Sequence, residues 1–140
     1  CTSCGITVHQ SCYGVLERPA LDDVWLCRAC EKHEKGKMKP QCCVCPIEGG
    51  ALKPTTLPGY WCHVACMQWM PELTCVDVDR MEPIDRVNLI HKQRWQHKCS
   101  ICKKEMGAII QCDCCFTAFH PLCARMQGFE MKTQMNEDGE

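Results

Sequence analysis

Apolar positions along this chain never settle into a long period. They come in short runs, and Gly, Pro or Cys interrupts every few residues, so the strands should be short hairpins. Two stretches read as helices. One covers residues 63–70 and stops before Pro71, which cannot continue a helix. The other starts at Pro121, where a first helical turn accepts proline, and ends by Gly128. Residues 31–40 form a polar linker of ten residues, too short to let its flanks wander, so one packed unit is expected. No apolar run approaches the roughly 18 residues of a membrane span, which argues against a membrane partner. The opening Cys1-Thr2-Ser3-Cys4 has neither the basic nor the apolar stretch of a secretory signal, and with no initiator Met the chain reads as a piece of a longer one.

Composition changes this picture more than charge does. Of 140 residues 17 are Cys, and they are counted in the hydrophobic share of 46%. Aromatic residues are few (Trp 4, Tyr 2, Phe 3). With so little conventional core, cross-links must hold the fold. An odd number of Cys suits full disulfide pairing badly, and spacing decides further. Cys-x2-Cys pairs occur at Cys1/Cys4, Cys27/Cys30, Cys42/Cys45, Cys99/Cys102 and Cys112/Cys115. His-x2-Cys pairs occur at His9/Cys12, His63/Cys66 and His120/Cys123. A disulfide has no use for His, whereas tetrahedral zinc accepts thiolate and imidazole together. Zinc thiolates imply a reducing compartment.

The middle pairs close a knuckle of three Cys and one His around a 17-residue loop, from Cys42 and Cys45 to His63 and Cys66. Cys43 and Cys62 compete for that site, but only Cys42 and His63 keep the two-residue gap on both sides. Cys43, Cys62, Cys75 and Cys114 are left as ordinary thiols.

The order of the flanking pairs, with four residues between Cys4 and His9 and again between Cys115 and His120, resembles the plant homeodomain (PHD) finger. Matching stretches include Trp25-Leu-Cys27-Arg-Ala-Cys30, the doubled Cys42-Cys43 with Gly-Gly-Ala-Leu-Lys-Pro54, Trp61-Cys-His-Val-Ala-Cys66 and His120-Pro-Leu-Cys-Ala124. Together they resemble the PHD–knuckle–extended PHD module of chromatin proteins, most closely that of plant-type trithorax-like histone-lysine methyltransferases, with Jade and BRPF scaffolds also similar. The RING ubiquitin-ligase finger shares the cross-brace but normally leaves one to three residues where four stand here.

That resemblance implies an irregular α+β fold dominated by zinc. Residues 1–31 would be the back of a first finger, 32–41 and 76–98 linkers, 42–75 the knuckle, and 99–140 the front of a second, extended finger. The cross-brace then gives two more complete sites, Cys1, Cys4, Cys27, Cys30 and Cys99, Cys102, His120, Cys123. His9 with Cys12, and Cys112 with Cys115, are half-sites whose partners would lie beyond the two ends. Four protein ligands leave no open position for water, so the complete sites read as structural and no catalytic residue is assigned.

The resemblance also implies a nuclear reader of the histone H3 tail, which PHD fingers add as an extra strand. The strand they use would lie mostly before Cys1; the loop 19–25 remains, with Asp22 and Asp23 as candidate acids for the positive end of the peptide. Three dications and ten thiolates move the formal charge from −1 to −5, so global attraction to DNA is not expected. A local strip, Lys92, Arg94, Lys98, Lys103 and Lys104, holds no acid and suits phosphates. The expectation is therefore a non-catalytic chromatin module without a small-molecule substrate, whose parent chain carries any methyltransferase chemistry. A RING-like ubiquitin ligase and a scaffold of an acetyltransferase complex are the alternatives.

Overall fold

The structure is a computed structural model, and it describes residues 1–132. Among the described residues there are three two-stranded antiparallel sheets and four short helices. The first finger contributes only α1 (Gln10–Tyr13) and α2 (Arg28–Lys32). The knuckle pairs β1 (Leu52–Pro54) with β2 (Trp61–His63) and runs directly into α3 (Val64–Trp69). A second hairpin follows, β3 (Thr74–Asp77) with β4 (Glu82–Asp85), and then two 3-10 turns, Val87–Leu89 and Lys92–Trp95. The last unit pairs β5 (Ile110–Gln111) with β6 (Ala118–Phe119) and ends in α4 (Pro121–Met126).

Both expected helices are present. Pro121 takes the first turn of α4, where its lost N–H had no partner to give up, and Gly128 follows with φ of +76°. Residues 76–98, expected as a linker, are instead built structure. Ile84 is fully buried, Val87 and Ile90 are nearly so, and Thr56 donates its backbone N–H to the Ile84 carbonyl at 2.9 Å, laying β4 against the knuckle. No metal ligand falls in this hairpin, so spacing could not reveal it. The last positions of the expected 99–140 unit, 133–140, lie outside the described residues.

One buried cluster joins all three units. Tyr13 of the first finger is its hinge: the phenol donates to the Leu52 carbonyl at 2.7 Å and accepts the Arg28 N–H at 3.1 Å. Its ring meets Trp25 edge-on, with centroids 6.0 Å apart. Burial pushes the Tyr13 pKa well above the usual phenol range, so it stays a donor at every physiological pH. Beside it, Lys53 is only 3% exposed. Its ammonium stands 4.2 Å from the Tyr13 ring centroid, 3.1 Å from Glu82 and 2.9 Å from the Arg80 carbonyl. Arg28 shares the same Glu82 oxygen at 2.9 Å. Gly14 lets the first finger close on this hairpin, since a Cβ there would lie 2.2 Å from the Arg80 carbonyl carbon. First finger, knuckle and hairpin thus meet on one ionic hub.

Candidate metal centres

Each complete ligand set is drawn from two turns separated in sequence. In the first finger the Cys1–Cys4 turn faces Cys27 at the mouth of α2 and Cys30 within it. In the knuckle Cys42 and Cys45 face His63, which caps α3, and Cys66, one turn inside it. In the last unit Cys99 and Cys102 face His120, which caps α4, and Cys123. In all three sets the candidate ligand atoms lie within 4.8 Å of one another.

These distances can be tested against zinc. With Zn–S near 2.3 Å and Zn–N near 2.05 Å, a tetrahedron places sulfurs about 3.8 Å apart and sulfur about 3.5 Å from nitrogen. Cys4 and Cys27 sulfurs stand 3.8 Å apart, and those of Cys42 and Cys66 4.0 Å. Sulfur to Nδ1 is 3.3 Å for Cys45 and 3.8 Å for Cys66 at His63, and 3.5 Å for Cys102 and 3.6 Å for Cys123 at His120. The other ring nitrogen of each His points at a carbonyl: Nε2 is 2.6 Å from Gly49 O and 2.7 Å from Met106 O. Donation there fixes the tautomer and leaves Nδ1 free to ligate, the usual arrangement around a ligating imidazole. Backbone N–H groups are turned toward the sulfurs: Val44 and His63 donate to Cys42, Cys27 donates to Cys1, and Cys102 and His120 donate to Cys99, all at 3.4–3.5 Å.

Without a cation the knuckle ligands would share their protons unevenly. Hydrogen bonding from Cys45, Cys62 and Cys66 holds the Cys42 thiol far below its ordinary range, and hydrogen bonding to Cys42 pushes Cys66 well above it. Burial works against a charged His63, but bonding to Cys42 and Cys45 outweighs it and raises the imidazole to about 10. Such a nest cannot carry three thiolates unless a cation shares their charge. Of the two competitors, Cys62 is fully buried and turns its thiol to the His63 carbonyl at 3.4 Å. Burial pushes Cys43 up to about 12. Neither joins the cluster. Zinc in these three sites would supply cross-links, since every position around it is filled by protein.

The half-sites behave differently. Cys12 sulfur lies 4.0 Å from His9 Nδ1 on an exposed surface, and no further ligand joins that pair among the described residues. Cys112 and Cys115 sit in the β5–β6 turn, with Cys115 exposed and bonded to the Thr117 hydroxyl at 3.1 Å.

Among the candidate surface residues, Asp23 lines a groove of about 570 Å³ with Ile6, Val8, Arg18 and Trp25, and one of its oxygens accepts the Ala20 N–H at 3.0 Å. Asp22 is exposed and lies outside that lining. Lys92, Lys98, Lys103 and Lys104 are all exposed. Arg94 is not free: its Nε donates to Glu72 at 2.7 Å and its Nη1 to the Ile109 carbonyl at 3.3 Å.

Sequence reasoning missed the two carbonyls that orient His63 and His120. The signal was present as an internal repeat. Both sites read Cys-x2-Cys-x17-His-x2-Cys, and a shift of 57 positions carries one onto the other without a gap. Gly49 maps to Met106, Gly50 to Gly107, and α3 to α4 residue for residue. The Cys43 N–H to Trp61 carbonyl bond and its counterpart from Ser100 to Ala118 are both 2.8 Å.

Three closed four-ligand sites, each joining two ligand turns distant in sequence, define a structural zinc-finger protein. Residues 40–139 match the family described as a PHD-zinc-finger like domain, and residues 1–31 match the PHD-finger. The chain belongs to this PHD-type zinc-finger family. It is 47% identical over its whole length to the Arabidopsis thaliana histone H3-lysine(4) N-trimethyltransferase ATX1, covering 13% of that protein. It is 44% identical, again over its whole length, to Bos taurus protein Jade-1, covering 27% of it. The crystal structure of zebrafish PHF14-PZP superposes with a TM-score of 0.73 at 32% identity, over 91% of this chain and 65% of that one. The chain thus spans a small part of the curated relatives it matches, and it is a PHD-type zinc-binding module of the kind found in chromatin proteins.

Proposed function

We propose that this module docks the unmodified amino-terminal tail of histone H3 along the first finger, within a nuclear parent chain that is a histone-lysine methyltransferase. The observation that carries the reading is the groove beside residues 6–9. Among the described residues no backbone hydrogen bond engages Thr7 or Val8, so an extended peptide can pair there as a strand. Ile6, Val8 and Trp25 give the groove an apolar wall. Asp23 supplies the one acid lining it, keeping an oxygen for a positive peptide end. The parent assignment draws on the names of the relatives.

Titration of an unmodified H3 amino-terminal peptide against its amino-acetylated form, followed by Trp25 fluorescence, tests the reading. Preference for the free amine, reduced by Asp23→Asn, is expected. Equal binding of both peptides, or none, overturns it. Nucleosomal DNA is the second proposed partner, through Lys92, Lys98, Lys103 and Lys104. Their joint change to Ala should lower duplex affinity and flatten its salt dependence, while Arg94, committed to Glu72, drops out of the contact set.

A further inference from the structure

An acceptor at Nε2 favours the tautomer in which His120 can ligate through Nδ1, and that acceptor is the carbonyl of Met106, a residue 60% exposed. An exposed loop carbonyl needs something to hold it. What holds it belongs to the other metal site. The next residue, Gly107, adopts φ of +88° and is so closely packed that a Cβ would stand 2.4 Å from the Val44 carbonyl oxygen, 3.0 Å from His120 Nε2 and 3.2 Å from the Cys45 Cα. Ala108 donates its N–H to that same Val44 oxygen at 2.8 Å. Val44 is fully buried between the ligands Cys42 and Cys45, and its own N–H points at the Cys42 sulfur at 3.4 Å. A continuous path of contacts therefore runs from the knuckle ligand turn through Val44, Ala108 and Met106 to the imidazole of His120. The equivalent Gly50 has only the His63 ring beside its Cβ position, so the knuckle copy is not braced in this way.

We propose that the knuckle ligand turn is a positioning element for the second-finger metal site, with Gly107 and the Val44 carbonyl as the coupling contact, so that the two sites load metal cooperatively. The inference rests on metal binding and is independent of the histone reading. Coupling of this kind is reciprocal: each ion raises the affinity for the other by the same factor. The Cys1, Cys4, Cys27, Cys30 set shares none of these contacts and serves as the internal reference.

The test is a metal titration of the whole chain with zinc in competition with a chromophoric chelator, each site being followed by the ring ¹⁵N shifts of His63 and His120. In the wild type the two imidazoles should reach the metal-bound tautomer together. Cys45→Ser should weaken metal binding at His120 at least tenfold, and Cys102→Ser should weaken the His63 site by the same factor. Gly107→Ala presses on both the Val44 carbonyl oxygen and the His120 ring, whereas Gly50→Ala presses on the His63 ring alone; the first should separate the two transitions and the second should keep them joined. Wild-type imidazoles that fill in separate steps would overturn the proposal without any variant. So would undiminished binding at His120 in Cys45→Ser, or joint filling in Gly107→Ala.

Discussion

The knuckle and the last unit are built on one ligand frame, and they part most clearly at the hairpin tip. From the first Cys to the end of the helix they share ligand spacing, hairpin, capping His and helix length. At the tip of the hairpin the knuckle has Thr55-Thr56-Leu57-Pro58, and the last unit has Cys112-Asp113-Cys114-Cys115. In the knuckle the tip is stitched by its own hydroxyl: Thr55 Oγ1 meets the Leu57 and Tyr60 carbonyls at 3.1 and 3.0 Å, and Thr56 donates to Asp85 at 2.7 Å. In the last unit the same turn presents thiols. One ligand frame thus accompanies the same turn, hairpin and helix in both copies, with a hydroxyl-stitched tip in one and a thiol-bearing tip in the other.

Removing metal altogether should break both copies, and it is the largest effect expected. Each structural zinc is associated with roughly 10–16 kcal/mol of apparent binding energy near neutral pH, against a net folding stability of about 5–15 kcal/mol for a whole domain. Strong chelation should therefore abolish amide dispersion in the NMR spectrum, and added zinc should restore it. Retained dispersion in a metal-free sample would remove the basis of the comparison.

The tip can be separated from the core of the unit by counting ions. Cys102→Ser takes a ligand from a complete set and should lower the zinc content by at least one ion. Changing Cys112 and Cys115 together to Ser should leave the Cys99, Cys102, His120, Cys123 site filled and α4 intact. Elemental analysis of the purified chains reads both outcomes. Equal loss from both variants would mean that the tip thiols belong to the same metal unit.

The hub offers a different contrast, because Lys53 of the knuckle is buried where the last unit has Ile110. Removing one partner of a buried pair leaves an uncompensated charge, typically at a cost of about 3–5 kcal/mol. Glu82→Gln does that to Lys53. Lys53→Met is expected to cost less, about 1–3 kcal/mol, since Glu82 keeps Arg28 and the new side chain stays apolar. Denaturant unfolding of the zinc-loaded chain should rank Glu82→Gln as the more damaging. The reverse order would mean that the Arg80 carbonyl and the Tyr13 ring hold Lys53 without Glu82.

What was legible in the sequence follows the ligands. The complete sites and the choice of Cys42 over Cys43 came from the two-residue gaps together with the family resemblance, because tetrahedral coordination tolerates little else, and both helices came from the prolines and the glycine that bound them. Backbone groups carry no such label, so Gly49 O and Met106 O became visible only as the atoms opposite His63 and His120. The β3–β4 hairpin was hidden for another reason. Its alternation spans four residues per strand, and its one deeply buried side chain, Ile84, looks in sequence like any isolated apolar residue. Arg94 was read as a phosphate ligand since no acid lies nearby in sequence; the acid that claims it, Glu72, is 22 positions away.

That pair gives the smallest expected effect and the sharpest test of how the two copies are braced. Glu72 follows α3, and Arg94 precedes the last unit, whose Ile109 donates its N–H to the Arg94 carbonyl at 2.9 Å. Burial raises the Glu72 carboxyl, but the hydrogen bond from Arg94 outweighs it and holds the pKa below the ordinary 4.5. With the folded value depressed, the stabilisation is present above the unfolded pKa and is lost as pH falls through the folded one. Thiolate protonation also releases zinc in acid, so the wild type alone cannot isolate the pair. The difference between wild type and Glu72→Gln can: about 1–2 kcal/mol at neutral pH, shrinking below pH 4.5 toward zero. Paired denaturant curves across that window measure it. A difference that stays constant with pH would show that Glu72 acts by shape rather than by charge.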